Sequence, residues 1–254
     1  MSLTRHLLDY VVITLVSVLP GCQTAPVAAG TEVDARAEAQ LRAMCQTLAA
    51  AQQFSVRVRS ASEDLLVRGR LVHGATERTV LVRRPDRLAI DLRSDALRER
   101  IGFDGRSLTT FNVDQNAFSV IKVAGTLDAL VDELRREWGL RVPLMDLLCA
   151  DPYARLKAHM RTARYLGQTT VAGMRCHHIA LQRPDAEWQL WIDASDRSLP
   201  RQIAILPFDP AQIPPRTAFF DAWDLTDPSL EQEFTVSLPP SAYEVEAVDF
   251  FGLP

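Results

Sequence analysis

The sequence predicts a mainly β protein: a strongly curved antiparallel sheet of about ten or eleven strands wrapped over a few helices. Three observations carry that expectation. Short segments with strict alternation of apolar and polar residues recur from residue 54 to 206 and again at 216–225. Most connections between them are short and rich in turn residues, which suits hairpins and leaves no room for crossover helices. The few helical segments carry an apolar stripe on one side, and such a stripe needs a partner surface to cover it.

The elements follow in order. In VDARAEAQLRAMCQTLAAAQ (33–52), Leu41, Met44, Cys45 and Leu48 fall at i, i+3, i+4 and i+7, and the alanines favour helix. FSVRVRS (54–60) switches to a period of two, with Phe54, Val56 and Val58 on one side and Arg57 and Arg59 on the other. DLLVRGRLVHG (64–74), RTVLVRR (78–84) and DRLAIDLRS (86–94) continue the alternation, with Pro85 between the last two because proline cannot occupy a central strand. Segments 98–105, 106–113 and 117–123 add three more strands, joined through FDGRS and VDQNA; Asp104-Gly105 is a strong hairpin signal.

A helical insert interrupts the strands. Thr126 is placed to cap a helix in which Leu127, Leu130, Val131, Leu134 and Trp138 share a face, with Gly139 as the stop. RVPLMDLLCADPYARLKAHM (141–160) predicts one or two short helices broken around Asp151-Pro152. Strands resume at 163–173, 174–182, 187–195 and 200–206. Pro-rich 208–216 reads as a loop, 216–225 as a strand, and the tail 231–250 as a last short strand or two.

The first residues read as a leader. Arg5, His6 and the terminal amine precede YVVITLVSVL (10–19), an uncharged run of h-region length that is too short to span a bilayer as a helix. Leu19-Pro20-Gly21-Cys22 resembles a bacterial lipobox, with an aliphatic residue at −3, a small one at −1 and cysteine at +1; Pro20 is an unusual occupant of −2. The expectation is a lipoprotein signal peptide over 1–21, lipidation of Cys22 and a small, polar tether over 22–32. A single domain over 33–254 completes the division. Gln23, where an aspartate would retain the protein at the inner membrane by enterobacterial sorting rules, points to the periplasmic side of the outer membrane.

Composition narrows the partners. Net charge is −4 and no block of basic residues stands out, so nucleic acid is not an expected partner. No G-x-S-x-G elbow, P-loop, H-E-x-x-H or dinucleotide-binding glycine pattern occurs, and nothing in the sequence argues for an enzyme, a cofactor or a metal.

The strings 83–95, 102–134, 142–156 and 163–205, which include RRPDRLAIDLRSD, VPLMDLLCADPYARL and MRCHHIALQRPDAEWQLWIDASDRSLPRQIAI, resemble a family of predicted periplasmic bacterial proteins known as domain of unknown function 2092. That family is similar in architecture to the lipoprotein carriers LolA and LolB. The resemblance implies an incomplete β-barrel holding helices in its concave face, with an acyl-chain cavity between them. It supplies no catalytic or ligand residue. Non-enzymatic binding or carriage of a hydrophobic ligand, a lipid or a lipoprotein, is the implied function, with a helix or loop, 126–139 or 208–216, as the gate. A protein-interaction or stress-sensing module without a lipid ligand is the alternative, and the oligomeric state is left open.

Several constellations compete with plainer readings. Trp188, Leu190 and Ile192 share one strand face, and with Leu130 and Leu134 they are the candidate cavity wall; core packing demands the same residue types. In Cys176-His177-His178 the two histidines point to opposite faces, and no further ligand spacing accompanies the cysteine. Cys45, Cys149 and Cys176 allow at most one internal disulfide, with its pairing open, and also suit buried thiols. Asp91, Asp104 and Asp193 are expected at strand ends or turns, as local hydrogen-bond acceptors. Arg57, Arg59, Arg68 and Arg70 suit a solvated outer face or contact with lipid phosphates.

Overall fold

The first helix forms where the apolar stripe predicts it, and everything else curves around it. The structure is a computed structural model; it describes residues 32–67, 70–95, 97–138, 145–209, 215–226 and 231–247, without side chains at 61–67, 70–74 and 231. Helix α1 (Ala35–Ala50) starts at Asp34, whose carboxylate accepts from the Arg36 and Ala37 amides, and buries Ala37, Leu41, Met44, Cys45 and Leu48. Helix α2 (Leu127–Arg136) is capped by Thr126 and buries Leu127, Leu130, Val131 and Leu134. A 3-10 turn at Met145–Leu148 leads to α3 (Pro152–Ala158), which Asp151 caps with proline in the first turn.

The strands are β1 (Gln53–Val67), β2 (Arg70–Arg83), β3 (Arg87–Ser94), β4 (Arg98–Phe103), β5 (Ser107–Asn112), β6 (Ala117–Lys122), β7 (Thr162–Val171), β8 (Met174–Gln182), β9 (Ala186–Asp193), β10 (Pro200–Pro207), β11 (Arg216–Asp224) and β12 (Tyr243–Glu244). They form one curved, unclosed sheet in the order β12-β6-β5-β4-β3-β2-β1-β11-β10-β9-β8-β7. Two meanders, β1–β6 and β7–β11, are thus joined where the first strand of one pairs antiparallel with the last strand of the other. At the β7 edge, the chain entering α1 pairs with Ala163 through Val33.

Two expectations need correction. The segment 64–74 is not one strand: it holds the end of β1 and the start of β2, and Val67 lies opposite Arg70. The polar stretches 61–64 and 74–77 look like turns, yet they face each other inside a long hairpin arm, with the register shifting between Ser62 and Leu65. A bulge absorbs what the alternation could not. The tail also differs. It makes a 3-10 turn at Glu231–Phe234, and then β12 pairs parallel, not antiparallel, with β6. Phe234 is buried against the outer face of the sheet, where a Cβ on Gly102 would lie 2.7 Å from the Phe234 carbonyl oxygen. Only glycine permits that approach. The hairpin signal at Asp104-Gly105 holds, with Gly105 at positive φ between β4 and β5; Ala172 and Gly173, expected at the end of a strand, both have positive φ and turn β7 into β8 as a two-residue type I′ loop requires.

The side of the sheet that meets the helices is the concave side. Phe54, Val82, Leu88, Phe103, Leu108 and Ile121, which register places opposite one another across β1–β6, join Leu41, Met44, Leu48, Leu130 and Leu134 in one buried cluster. Burial of this row contributes about 25 cal/mol per Å² of apolar surface.

Candidate functional site

The concave face changes character along the strands, and register makes the change explicit. Next to the fully apolar row comes Val56–Val80–Ile90–Ile101–Thr110–Ser119. Beyond that lies Val58–Arg78–Leu92–Glu99–Asn112–Ala117. Ile90 and Ile101 remain partly exposed, as do Ile205 and Ala218 on the facing half of the sheet. The helices therefore cover the end of the concavity at the fully apolar row and leave Ile90 and Ile101 partly exposed toward the other end.

All five candidate wall residues meet in the covered part. Trp188, Leu190 and Ile192 project to the concave side from β9, Leu130 and Leu134 from α2, and all are buried in the same cluster. Leu130, Leu190 and Ile192 have no exposed surface, so protein atoms surround them. They form the packed floor. The sequence reading missed the open strip at Ile90 and Ile101 and the charged pair of positions beside it. The signal was present as an interruption of the apolar face by Arg78 and Glu99, but it needs the register of three strands to be seen.

The helices over the floor are bound into one unit. Asp128 and Asp132 of α2 pair with Arg155 of α3, Asp128 also accepts the Ala150 amide, and Arg135 reaches the buried Asp146 at 3.0 Å. Tyr153 of α3 donates to Glu38 of α1, and Arg42 lies over the Tyr153 ring. Arg84, at the end of β2, donates to the carbonyls of Leu48 and Ala51 at the end of α1 and to those of Leu148 and Cys149 after the 3-10 turn. One guanidinium thus ties both helix ends to the sheet; burial lowers its pKa. The segment 126–139, expected as a gate, is locked into this unit through residue 138. In the other expected gate, 208–216, residues 210–214 lie outside the described residues, as do Cys22, Arg68 and Gly139.

The remaining constellations resolve into structural parts. His177 Nδ1 lies 2.9 Å from the Tyr165 hydroxyl, and His178 stacks on Trp191 and meets Gln189. They occupy opposite faces, and among the described residues no three metal-binding side chains gather. Cys45, Cys149 and Cys176 are all buried unpaired thiols; burial pushes the first two up to about 12. Asp104 accepts from Arg106 and Ser107 in its turn. Asp91, expected at a strand end, sits inside β3 on the solvated convex face, paired with Arg93. Asp193 forms a buried ion pair with Arg201 and accepts the Ser195 amide. Burial pushes its carboxyl up, but the bonds from Ser195 and Arg201 outweigh this and hold it below the usual carboxylate range. Arg57 and Arg59 lie on the convex side, Arg59 bonded to Asp221.

A family model described as "Predicted periplasmic protein (DUF2092)" matches residues 37–248. The chain belongs to this family. The match runs from α1 to the end of the described tail, so it takes in both meanders and the helical unit. No curated protein matches the chain. Among solved structures, an uncharacterized conserved protein from Thermus thermophilus is 9% identical, with a TM-score of 0.50, covering 83% of this chain and 99% of its own. The lipoprotein LppX of Mycobacterium tuberculosis is 13% identical, TM-score 0.45, with 81% and 100% covered. A LolA superfamily protein from Nitrosomonas europaea is 13% identical, TM-score 0.37, with 79% and 97% covered. At 9% identity the likeness to the Thermus thermophilus protein is one of fold.

Proposed function

We propose that the protein binds the acyl part of a lipid or lipoprotein in the concave face of its sheet, on the periplasmic side of the cell envelope, and does so without catalysis. The supporting observation is the pair of partly exposed apolar residues Ile90 and Ile101 beside a floor of Trp188, Leu190, Ile192, Leu130 and Leu134, with Ile205 and Ala218 partly exposed on the same concave side of the other half of the sheet. A chain laid along the strip gains about 0.8 kcal/mol for each methylene removed from water. Deeper entry requires the helices to lift as a unit, because Arg155 and Arg84 bind them together. Cys22 carries the anchor and residues 23–32 the tether, and Gln23 directs the protein to the outer membrane. Replacing Cys22 with alanine releases the protein from membranes; retention in the membrane fraction contradicts the anchor.

The test is titration of a pyrene-labelled fatty acid with energy transfer from tryptophan. Saturable binding at one site is expected, weakened at least about tenfold by Ile101→Glu, a charge placed in the strip. Unsaturable partitioning, identical in the variant, overturns the reading. A second reading, a protein-docking module, draws on Leu206 and Phe219 of the convex face and on Phe208 just after β10, which are 40%, 37% and 55% exposed. A dominant protein adduct on in-cell cross-linking, together with no bound lipid, favours it.

A further inference from the structure

Arg78 and Glu99 place two charges in the row Val58–Arg78–Leu92–Glu99–Asn112–Ala117. Both project into the concavity, flanking Leu92, and are separated by two strand spacings, about 10 Å between their backbones. Both are half-buried. Among the described residues Arg78 makes a single side-chain hydrogen bond, to Ser60 Oγ at 2.8 Å, and Glu99 makes none. Arg216 lies on the same face of β11, in line with Ile205 and Trp188, and its charge reaches Arg78. Burial pushes the Glu99 carboxyl up and the Arg78 guanidinium down, and the attraction between the two charges offsets this only in part.

Half-buried charges with so few bonds cost stability unless something further satisfies them. The arrangement here is bipolar: two guanidiniums and one carboxylate at the edge of an apolar strip. A purely anionic head group would satisfy the arginines and face Glu99. A neutral one would satisfy neither. Resting on the acyl-binding reading above, we propose that this corner of the concave face is the head-group site for a zwitterionic phospholipid. Its phosphate lies between Arg78 and Arg216, its primary ammonium meets Glu99, and its chains run along Ile101 and Ile90 toward the helices. Guanidinium–phosphate bonds are charge-assisted and strong, and the half-burial of Arg78 reduces the screening of its bond by salt.

The experiment uses the full mature chain carrying Cys22→Ser, incubated with vesicles holding equal parts of phosphatidylethanolamine, phosphatidylglycerol and diacylglycerol with identical chains. Lipid carried off by the protein is extracted and weighed by mass spectrometry. Phosphatidylethanolamine should be enriched about tenfold over each of the others, the worth of one good charged contact. Arg78→Met should reduce it to the diacylglycerol level. The isosteric Glu99→Gln should remove the preference over phosphatidylglycerol alone, and it serves as the test if Arg78→Met fails to fold. Three lipids carried in vesicle proportions overturn the head-group site while acyl binding stands. No lipid carried at all overturns both.

Discussion

Replacing Arg84 with methionine keeps the apolar stem of the side chain and removes its five donors. Four carbonyl oxygens then lose their partner: Leu48 and Ala51 at 3.2 Å each, Cys149 at 2.7 Å and Leu148 at 2.5 Å. A hydrogen bond from a charged group contributes about 1.5–3 kcal/mol, and a cation at a helix C-terminus about 0.3–1 kcal/mol. The four bonds share one guanidinium and are not additive, so the expected loss is about 3 kcal/mol. With a urea m-value near 3 kcal/mol/M, the unfolding midpoint falls by about 1 M at unchanged m. Arg84→Lys should recover less than half, because an ammonium cannot span four carbonyls from two helix ends. Arg93→Met is the control. Arg93 pairs with Asp91 on the open convex face, so its loss should leave the unfolding midpoint nearly unchanged. If Arg84→Met matches Arg93→Met, Arg84 does not fasten the helical unit, and the unit is held by its apolar contacts alone.

Leu130→Ala should cost about 2–5 kcal/mol in the same denaturation assay, since its site is fully buried, while Ile101→Ala, half-exposed on the strip, should cost less than half as much. Asp193→Asn should cost about 3–5 kcal/mol at pH 7 by leaving Arg201 buried without its carboxylate. The Asp193 carboxyl titrates below its unfolded value, so its stabilisation is fully present above that value, about 3.9, and is lost as pH falls through the lower folded one. A pH series of urea midpoints should therefore show an acid-side decline that is shallower in Asp193→Asn. Cys45 and Cys149, buried and pushed up to about 12, should resist iodoacetamide at pH 8 in the folded protein and react, with Cys176, only after denaturation, as counted by intact mass.

Local pattern made most of this fold legible. The stripe of Leu41, Met44, Cys45 and Leu48 and the cap at Thr126 mark helices through their own side chains, Asp151-Pro152 marks a break within 141–160, and the structure has helices at the first two and starts α3 at the break. The alternation in Phe54-Val56-Val58 and Trp188-Leu190-Ile192 already identifies the face that packs on the helices. Long-range pairing was less accessible. Nothing near residues 61–64 or 74–77 announces that they continue a hairpin across a bulge, because a polar segment in a strand and one in a turn read alike. The parallel pairing of β12 with β6 and the contact of Phe234 with Gly102 join residues more than a hundred positions apart. The corner formed by Arg78 and Glu99 is of the same kind. Each looks like one polar residue in an alternating strand, and only the registry of β2, β3 and β4 sets them on one row of the concave side.

The central claim is that the concave face takes an acyl chain, and native mass spectrometry of the protein recovered from the periplasm, with Cys22→Ser to keep it soluble and with extraction of whatever it carries, tests that most directly. The account predicts a bound species of defined acyl mass, present at up to one per chain and displaced by added phospholipid. A clean unliganded mass, on folded protein challenged with mixed envelope lipids, would contradict it and leave the exposed Leu206 and Phe219 of the convex face, with Phe208 just after β10, as the surface to pursue.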